Sequence, residues 1–318
     1  MANIVLSGKC NLRCPYCFAE DFTREQSRDM DIDSVMQAID FIAEEGVCGL
    51  IGGEPLIYRD IDRVLSCLNA DMRFHSVTVF TNGVYIDKHM DALCSYKTHI
   101  LVNLNSSRDI GEDAFQRTVS NIRALCDRGM RNHITLGINI YEENQDISEF
   151  TDTLSTFSFD RARISVTIPQ DKSEGAIPYF ERMKPTLLKV YRELREIGVA
   201  PCYDCNVIPH CVFTEKELEF IKTLPYTSPA ERELIMGNMA VCSPIIDIYP
   251  DGTATRCFGC YDDLKVNISD FRTLSDLKNH FFMEIDARRV HIKSRTMCSD
   301  CYDYKTFKCY GGCLCYKR

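Results

Sequence analysis

Histidine is scarce, at 7 in 318 residues, and no apolar run approaches the ~20 residues that a membrane-crossing helix needs. The N-terminus, MANIVLSGKCNLRC, has no basic start followed by a long apolar core, so it carries no export signal. Positive charge is not in excess. The 37 lysines and arginines stand against 46 aspartates and glutamates, a net charge of -9 that gives no attraction to nucleic acid or to an anionic membrane. Low-complexity segments and repeats beyond a strand–helix alternation are also lacking. These absences point to a cytoplasmic protein with no nucleic-acid or membrane partner.

What is present in excess is cysteine, with 18 residues. Without an export signal, clustered cysteines ligate metal more often than they pair as disulfides. Zinc sites favour two C-x2-C pairs or cysteine–histidine mixtures. This chain instead opens with C-x3-C-x2-C and has no fourth partner nearby. The remaining composition, 45% hydrophobic and 26% charged, is that of an ordinary globular protein with one large domain or a medium one plus a smaller one.

Through residue 198 strand-like and helix-like segments alternate. Short apolar runs at 3–6, 49–51, 77–80, 100–104, 134–140 and 164–168 read as strands. Between them, Val35, Ala38, Ile39 and Ile42 recur at helical spacing, as do Phe115, Val119, Ile122 and Cys126. Residues 61–68, 86–93, 147–157 and 179–197 also read as helices, with Pro185 kinking or restarting the last. Six such units predict an α/β fold with a parallel sheet, a partial (β/α)6 barrel of the TIM type. The alternation stops near 199. A cysteine-containing bridge is expected over 199–240 and a cysteine-rich domain over 241–318. There, Asp251-Gly252 marks a β-hairpin between 245–249 and 253–256, and 273–289 reads as a helix.

The loop Cys10-Asn-Leu-Arg-Cys14-Pro-Tyr-Cys17 follows the first strand. Three thiolates can hold three irons of a [4Fe-4S] cube, whereas ferredoxin-type cubes take four cysteines, so one iron is left open. The loop resembles the signature of the radical S-adenosylmethionine (SAM) superfamily, with Tyr16 where that family prefers an aromatic. Gly52-Gly53-Glu54-Pro55 looks like its GGEP motif and Thr81-Asn82-Gly83 like its TNG motif. The resemblance implies that SAM chelates the open iron and that Gly52 and Gly53 let the backbone approach its methionine moiety. It also implies that Glu54 accepts from the amino group, that Tyr16 lies near the adenine, and that a 5′-deoxyadenosyl radical takes a substrate hydrogen. Relatives put Ser and Asp on the ribose at the fourth strand. Here Asn103 and Asn105, followed by Ser106, occupy that strand, and an amide can still bond a hydroxyl. Asn144 is a weaker SAM-contact candidate, balanced against a plain helix N-cap.

Further on, Cys242-x9-Gly252-x4-Cys257 and Cys298-x2-Cys301-x7-Cys309-x3-Cys313-x1-Cys315 look like a SPASM domain, the extension that holds two auxiliary [4Fe-4S] clusters. The resemblance assigns Cys242, Cys257 and Cys313 to one cluster and Cys298, Cys301, Cys309 and Cys315 to the other. The second half departs from the family's spacing, which leaves ligand swapping open near 309–315. The first cluster lacks a ligand, for which Cys202, Cys205, Cys211 and Cys260 are candidates; a zinc ribbon is the plainer alternative. Cys211 is also a candidate hydrogen-atom donor. Cys48, Cys67, Cys94 and Cys126 read as buried small hydrophobes.

The substrate implied first is a peptide, modified oxidatively by thioether or carbon–carbon linkage or by epimerisation. An external donor of flavodoxin or ferredoxin type would supply electrons. The chain opens on the first barrel strand, so a leader-peptide-binding protein is expected to be separate or unneeded. Relatives that oxidise sulfatase residues carry an acid directly after the hairpin's second cysteine. Here that position is Phe258, and Asp262, Asp263, Tyr203 and Asp204 are substitutes without positional support. A small metabolite is the second reading. A non-catalytic electron-transfer or metal-storage protein is the third, and the GGEP-like motif speaks against it.

Overall fold

A computed structural model describes the chain except residues 1, 18, 26, 27, 170, 204, 243 and 318 and the side chains of 21, 24 and 25. In chain order its principal elements are β1 (Ala2–Val5), α1 (Ile32–Ile42), β2 (Val47–Ile51), α2 (Ile61–Ala70), β3 (Ser76–Thr81), α3 (Met90–Leu93), β4 (Thr98–Asn103) and α4 (Glu112–Asp127). Then follow β5 (Ile134–Ile140), α5 (Ser148–Thr156), β6 (Arg161–Val166), α6 (Ala176–Glu196), β7 (Ala200–Cys202), α7 (Glu215–Ile221) and α8 (Pro229–Ile235). Last come β8 (Ile246–Ile248), β9 (Thr253–Thr255), β10 (Val266–Asn267) and α9 (Leu274–Phe281). Among the described residues no helix is long and apolar enough to cross a membrane.

The chain forms two compact units, each built from two stretches of sequence. The first comprises 1–135 and 244–281. Its strands β1, β2, β3 and β4 pair in parallel, each followed by helix. Every residue of β1 is buried, as befits a parallel strand covered on both faces. Asp31 caps α1 by accepting from the Ser34 amide at 2.9 Å. The stripe Ile61, Val64, Leu65 and Leu68 buries one side of α2. Cys67 falls off that stripe and is exposed, which corrects its reading as a buried hydrophobe; Cys48, on β2, is buried.

The hairpin at 246–255 forms over the Asp-Gly turn, and β10 adds antiparallel to β9. Periodicity gave no sign of the next feature: β8 lies parallel against β1, with Asn3 opposite Asp247. Their side chains bond, Asn3 Nδ2 donating to Asp247 Oδ1 at 2.7 Å. An aromatic cluster backs this edge. Tyr249 stacks against Phe22 at 5.1 Å, Tyr261 at 5.3 Å and Phe258 at 5.8 Å between ring centroids.

The second unit comprises 136–243 and 282–318. It holds β5, which starts two residues before the boundary, then β6 and β7 in parallel order. All seven residues of β5 are buried. One continuous helix, α6, contains Pro185, so the proline does not restart it; Phe180, Met183, Leu187, Val190 and Tyr191 form its buried row on both sides of that residue. Strand β7 stands where a bridge was expected. Three residues containing Pro201 are too few to show a period, and an edge position tolerates the missing N–H. The expected helix at 273–289 is α9, followed by a π-helical turn over Phe282–Asp286 and a short helix Ala287–Arg289.

Candidate active site and cysteine sites

Four segments stand at the C-terminal ends of parallel strands in the first unit, the edge where such sheets carry chemistry. The cysteine loop follows β1, the Gly52–Pro55 turn follows β2, Thr81-Asn82-Gly83 ends β3, and Asn103–Ser106 ends β4. The first three are bonded to one another. The Gly53 amide donates to the Ser7 carbonyl and the Glu54 amide to the Lys9 carbonyl, both at 2.8 Å. A Cβ on Gly53 would lie 2.1 Å from the Lys9 oxygen, and one on Gly52 2.5 Å from the Ser7 oxygen. The glycines therefore seat the second motif against the backbone of the first, a requirement apart from any approach to a ligand. Ser7 is held in turn, its hydroxyl donating to Asp29 at 2.6 Å.

Glu54 is the hub. It is only 1% exposed, and its carboxylate accepts from the Leu56 amide at 3.0 Å, the Thr81 hydroxyl at 2.6 Å and the Asn82 amide at 2.8 Å. Burial raises its pKa, against which the Asn82 amide, the Thr81 hydroxyl and the Leu56 amide act. The Asn82 side chain donates to Asn11 Oδ1 at 3.0 Å, which ties the third motif directly to the cysteine loop. Helix α4 clamps this turn from outside. Asn121 donates to the Gly83 carbonyl at 2.8 Å and Thr118 to the Asn82 carbonyl at 3.3 Å. The buried face of α4 therefore runs through Thr118 and Asn121, and Val119 and Cys126 are only half-buried.

Cys10, Cys14 and Cys17 feel one another's charge. Burial pushes Cys10 up to about 11 and Cys14 up to about 12; the Leu12 amide opposes the first rise and the Tyr16 hydroxyl the second. Tyr16 is thus bonded to a thiol of the loop. Pro55 is buried at the start of a 3-10 turn. Asn105 is 5% exposed, and among the described residues its Oδ1 has no hydrogen-bond partner. Asn103 and Ser106 are half-buried beside it. Asn144 belongs to the second unit, is exposed, and has a left-handed φ of 56°, a conformation asparagine tolerates; it is not the N-cap of α5, which is Ile147.

The other cysteines fall into groups. In the first unit Cys257 and Cys260 share a hydrogen bond. That bond, with Arg256, pulls Cys257 down to about 6 against burial, while Cys260 is raised. In the second unit Cys211, Cys298, Cys301 and Cys309 line one cavity. Elsewhere in that unit Cys313 and Cys315 face each other at 3.3 Å between sulfurs. Cys242 and Cys205 are half-buried in that unit, and Cys202 is buried on β7, its thiol donating to the Ala162 carbonyl at 3.4 Å. Among the described residues no three histidine, cysteine, aspartate or glutamate side chains surround a single-ion position. Of the substitutes for an acid at 258, Tyr203 is tied to Tyr191 at 2.6 Å, Asp262 is exposed, and Asp204 lies outside the described residues. Phe258 itself packs in the aromatic cluster.

Residues 4–155 match the family described as the radical SAM superfamily. The chain carries a radical SAM domain. Over 92 residues it is 35% identical to GTP 3′,8-cyclase of Chlorobaculum tepidum, covering 28% of each chain. Over 155 residues it is 26% identical to the antilisterial bacteriocin subtilosin biosynthesis protein AlbA of Bacillus subtilis, covering 45% of this chain and 34% of that one. Neither match reaches two thirds of the relative's length.

Among solved structures, Streptococcus suis SuiB bound to SAM superposes with a TM-score of 0.64 at 17% identity, over 98% of this chain and 72% of that one. SuiB is also known bound to precursor peptide SuiA. The protein anSMEcpe with bound AdoMet and the Kp18Cys peptide gives 0.66 at 18% identity, over 98% and 88%. These likenesses establish the fold as the α/β partial barrel expected from the strand–helix alternation.

The superfamily implies SAM and a [4Fe-4S] cluster, and the radical SAM domain fits both. It gathers three thiols in one loop, and a buried amide oxygen at the end of β4 has no partner among the described residues. Because that oxygen has no bond to lose among the described residues, Asn105→Ala is expected to cost only about 1 kcal/mol of stability. Equilibrium dialysis of the reconstituted variant should show SAM affinity reduced about 5- to 10-fold, one lost hydrogen bond. An unchanged affinity would remove Asn105 from the site.

Proposed function

We propose that this protein is a radical SAM enzyme that oxidatively modifies a peptide, with further iron–sulfur centres of SPASM type held by its later cysteines. The observation that carries the reading is the co-occurrence of two sets of thiols. One sits in a loop bonded to two further motifs at the strand ends; the other lines a cavity of the second unit. When bound, the cluster and SAM supply one-electron reductive cleavage and an abstracting carbon radical. The chain's own residues then have defined tasks. Cys10, Cys14 and Cys17 hold the cluster. Glu54, Thr81 and Asn82 lock the surrounding turns, and Asn105 offers a buried acceptor to a ligand hydroxyl or amino group. Further thiol-held iron would give the electron left over after substrate oxidation a place to go.

Two of the similar structures, SuiB and anSMEcpe, hold bound peptides, and the likeness to them spans 98% of this chain. Phe258 in the aromatic cluster favours chemistry other than the sulfatase type, since no base stands there. The GTP 3′,8-cyclase matches favour a second reading, a small-molecule substrate, though over a shorter stretch.

The anaerobically reconstituted protein with a chemical reductant is expected to convert SAM to 5′-deoxyadenosine and methionine, measured chromatographically. Replacing Cys10, Cys14 and Cys17 together by alanine should abolish the conversion. Adding peptides encoded beside the gene should raise the rate and yield a product changed in mass. A rise with GTP or another metabolite and none with peptides would overturn the peptide reading.

A further inference from the structure

The SPASM resemblance assigns Cys315 as the fourth partner of Cys298, Cys301 and Cys309. The second unit is built otherwise. The cavity lined by Cys298, Cys301 and Cys309 is closed by Cys211 on the turn His210–Val212, and Cys315 is not part of its wall. Cys315 is 1% exposed and its sulfur lies against that of Cys313. From these placements we infer that Cys211 is the fourth ligand of an iron–sulfur cluster held by Cys298, Cys301 and Cys309, and that Cys315 is released to stand with Cys313. The inference rests on the iron–sulfur reading of the second unit.

Three further considerations support it. The first is the make-up of the wall: Arg295 lines the same cavity as Cys211, Cys298, Cys301 and Cys309. All four thiols thus share one neighbourhood, with a cation at its edge to offset the charge they carry once each has lost its proton to bind iron.

The second is the backbone between them. One short segment, 237–240, is tied to both sides of the cavity. At one end the His210 amide donates to the Gly237 carbonyl at 3.3 Å. A Cβ on Gly237 would lie 2.4 Å from both the Ile208 oxygen and the His210 nitrogen, so the Cys211 turn is seated as closely as a glycine permits. At the other end Ala240 forms a parallel bridge to Cys309 and accepts from the Tyr310 amide at 2.9 Å. The segment fixes the distance between the Cys211 turn and the Cys309 turn.

The third is the kind of site. A tetrahedral zinc ion draws four sulfurs to within about 2.3 Å of one point. Among the described residues no three such side chains converge on a single-ion position, and these thiols stand around one cavity, as ligands of separate irons in a cube do. The Gly311 amide already donates to the Cys309 sulfur at 3.1 Å, the contact an iron-bound thiolate accepts.

The test uses the full chain, with Cys10, Cys14 and Cys17 all replaced by alanine so that only the other centres remain. It is reconstituted anaerobically with ferrous iron and sulfide. Metal, sulfide and the electron paramagnetic resonance of the reduced protein are measured. Zinc without iron in this parent sinks the iron–sulfur reading itself, before Cys211 is touched. With iron present, Cys211→Ala is expected to remove about four irons and four sulfides, the same spectral component that Cys298→Ala removes. Cys315→Ala is expected to leave that component in place. Retention of the component in Cys211→Ala overturns the proposal, whatever Cys315→Ala does. If Cys211→Ala folds poorly by circular dichroism, Cys211→Ser serves instead. A shifted or lost component then supports the assignment, and an unaltered one overturns it.

Discussion

Gly53→Ala is expected to empty the N-terminal cluster site while leaving iron in the second unit. A methyl group there would fall 2.1 Å from the Lys9 oxygen and 3.1 Å from the Cys10 nitrogen. Neither neighbour is a flexible side-chain tip; both are backbone, one residue before and at the first cysteine. The clash must therefore be relieved by moving the cysteine loop, or by breaking the Glu54 amide bond to Lys9 at 2.8 Å. Overpacking of this kind costs about 1–3 kcal/mol, which a protein of this size survives. A thiol displaced by an ångström no longer meets its iron. Reconstituted Gly53→Ala should hold about four fewer irons than the parent protein, with no SAM cleavage and folded circular dichroism. Full iron content with normal SAM turnover would show that the loop yields without consequence, and that the glycine serves some other purpose.

Glu54→Ala should have the larger effect on stability. Removing the carboxylate leaves the Leu56 amide, the Asn82 amide and the Thr81 hydroxyl without their acceptor in a site where the residue is 1% exposed. Each buried donor left unmade costs about 1–3 kcal/mol, and part of that is recovered by relaxation, so a loss on the order of 4 kcal/mol is expected. For a unit of this size that lowers the midpoint of thermal unfolding by about 10 °C. Glu54→Gln, which keeps one acceptor oxygen but turns an amide NH2 toward a donor, should fall between the two. Were Glu54 only a ligand for the SAM amino group, Glu54→Ala would keep its melting temperature and lose SAM binding alone. Parallel calorimetry and dialysis separate the two roles.

The sequence made the strand–helix framework legible because buried parallel strands are short and uniformly apolar, and the helices carry a clear stripe. It also displayed the three strand-end motifs. What it could not display is that Glu54 faces inward to Thr81 and Asn82, since a carboxylate that pins two loops looks the same in one dimension as one that waits for a ligand. Thr118 and Asn121 were missed for a related reason. They bury polar groups that bond to carbonyls of the Asn82–Val84 turn, so the apolar pattern of α4 pointed slightly to one side of its true inner face. A Thr and an Asn three apart on a helix, opposite a glycine turn, was the only available hint.

The cysteines were legible as a set but not as groups. The SPASM resemblance placed Cys315 with Cys298, Cys301 and Cys309, position by position along the family's pattern. The fold brings Cys211 to that cavity from beyond α6, 87 residues before Cys298. Only tertiary structure carries that information. Strand β7 and the pairing of β8 with β1 were hidden for the same reason: each is three residues long and owes its conformation to a neighbour far along the chain.

That last pairing sets an order of events for a chain emerging from the ribosome. β1 is made some 240 residues ahead of β8, one of its two flanking strands, which is complete only at residue 248. Until then β1 presents an unsatisfied row of amides and carbonyls, next to the segment that carries the first three cysteines. Joining partners some 240 positions apart is also a slow closure. Iron meeting Cys10, Cys14 and Cys17 before Ile248 is made would therefore find them beside a strand that still lacks one of its two neighbours.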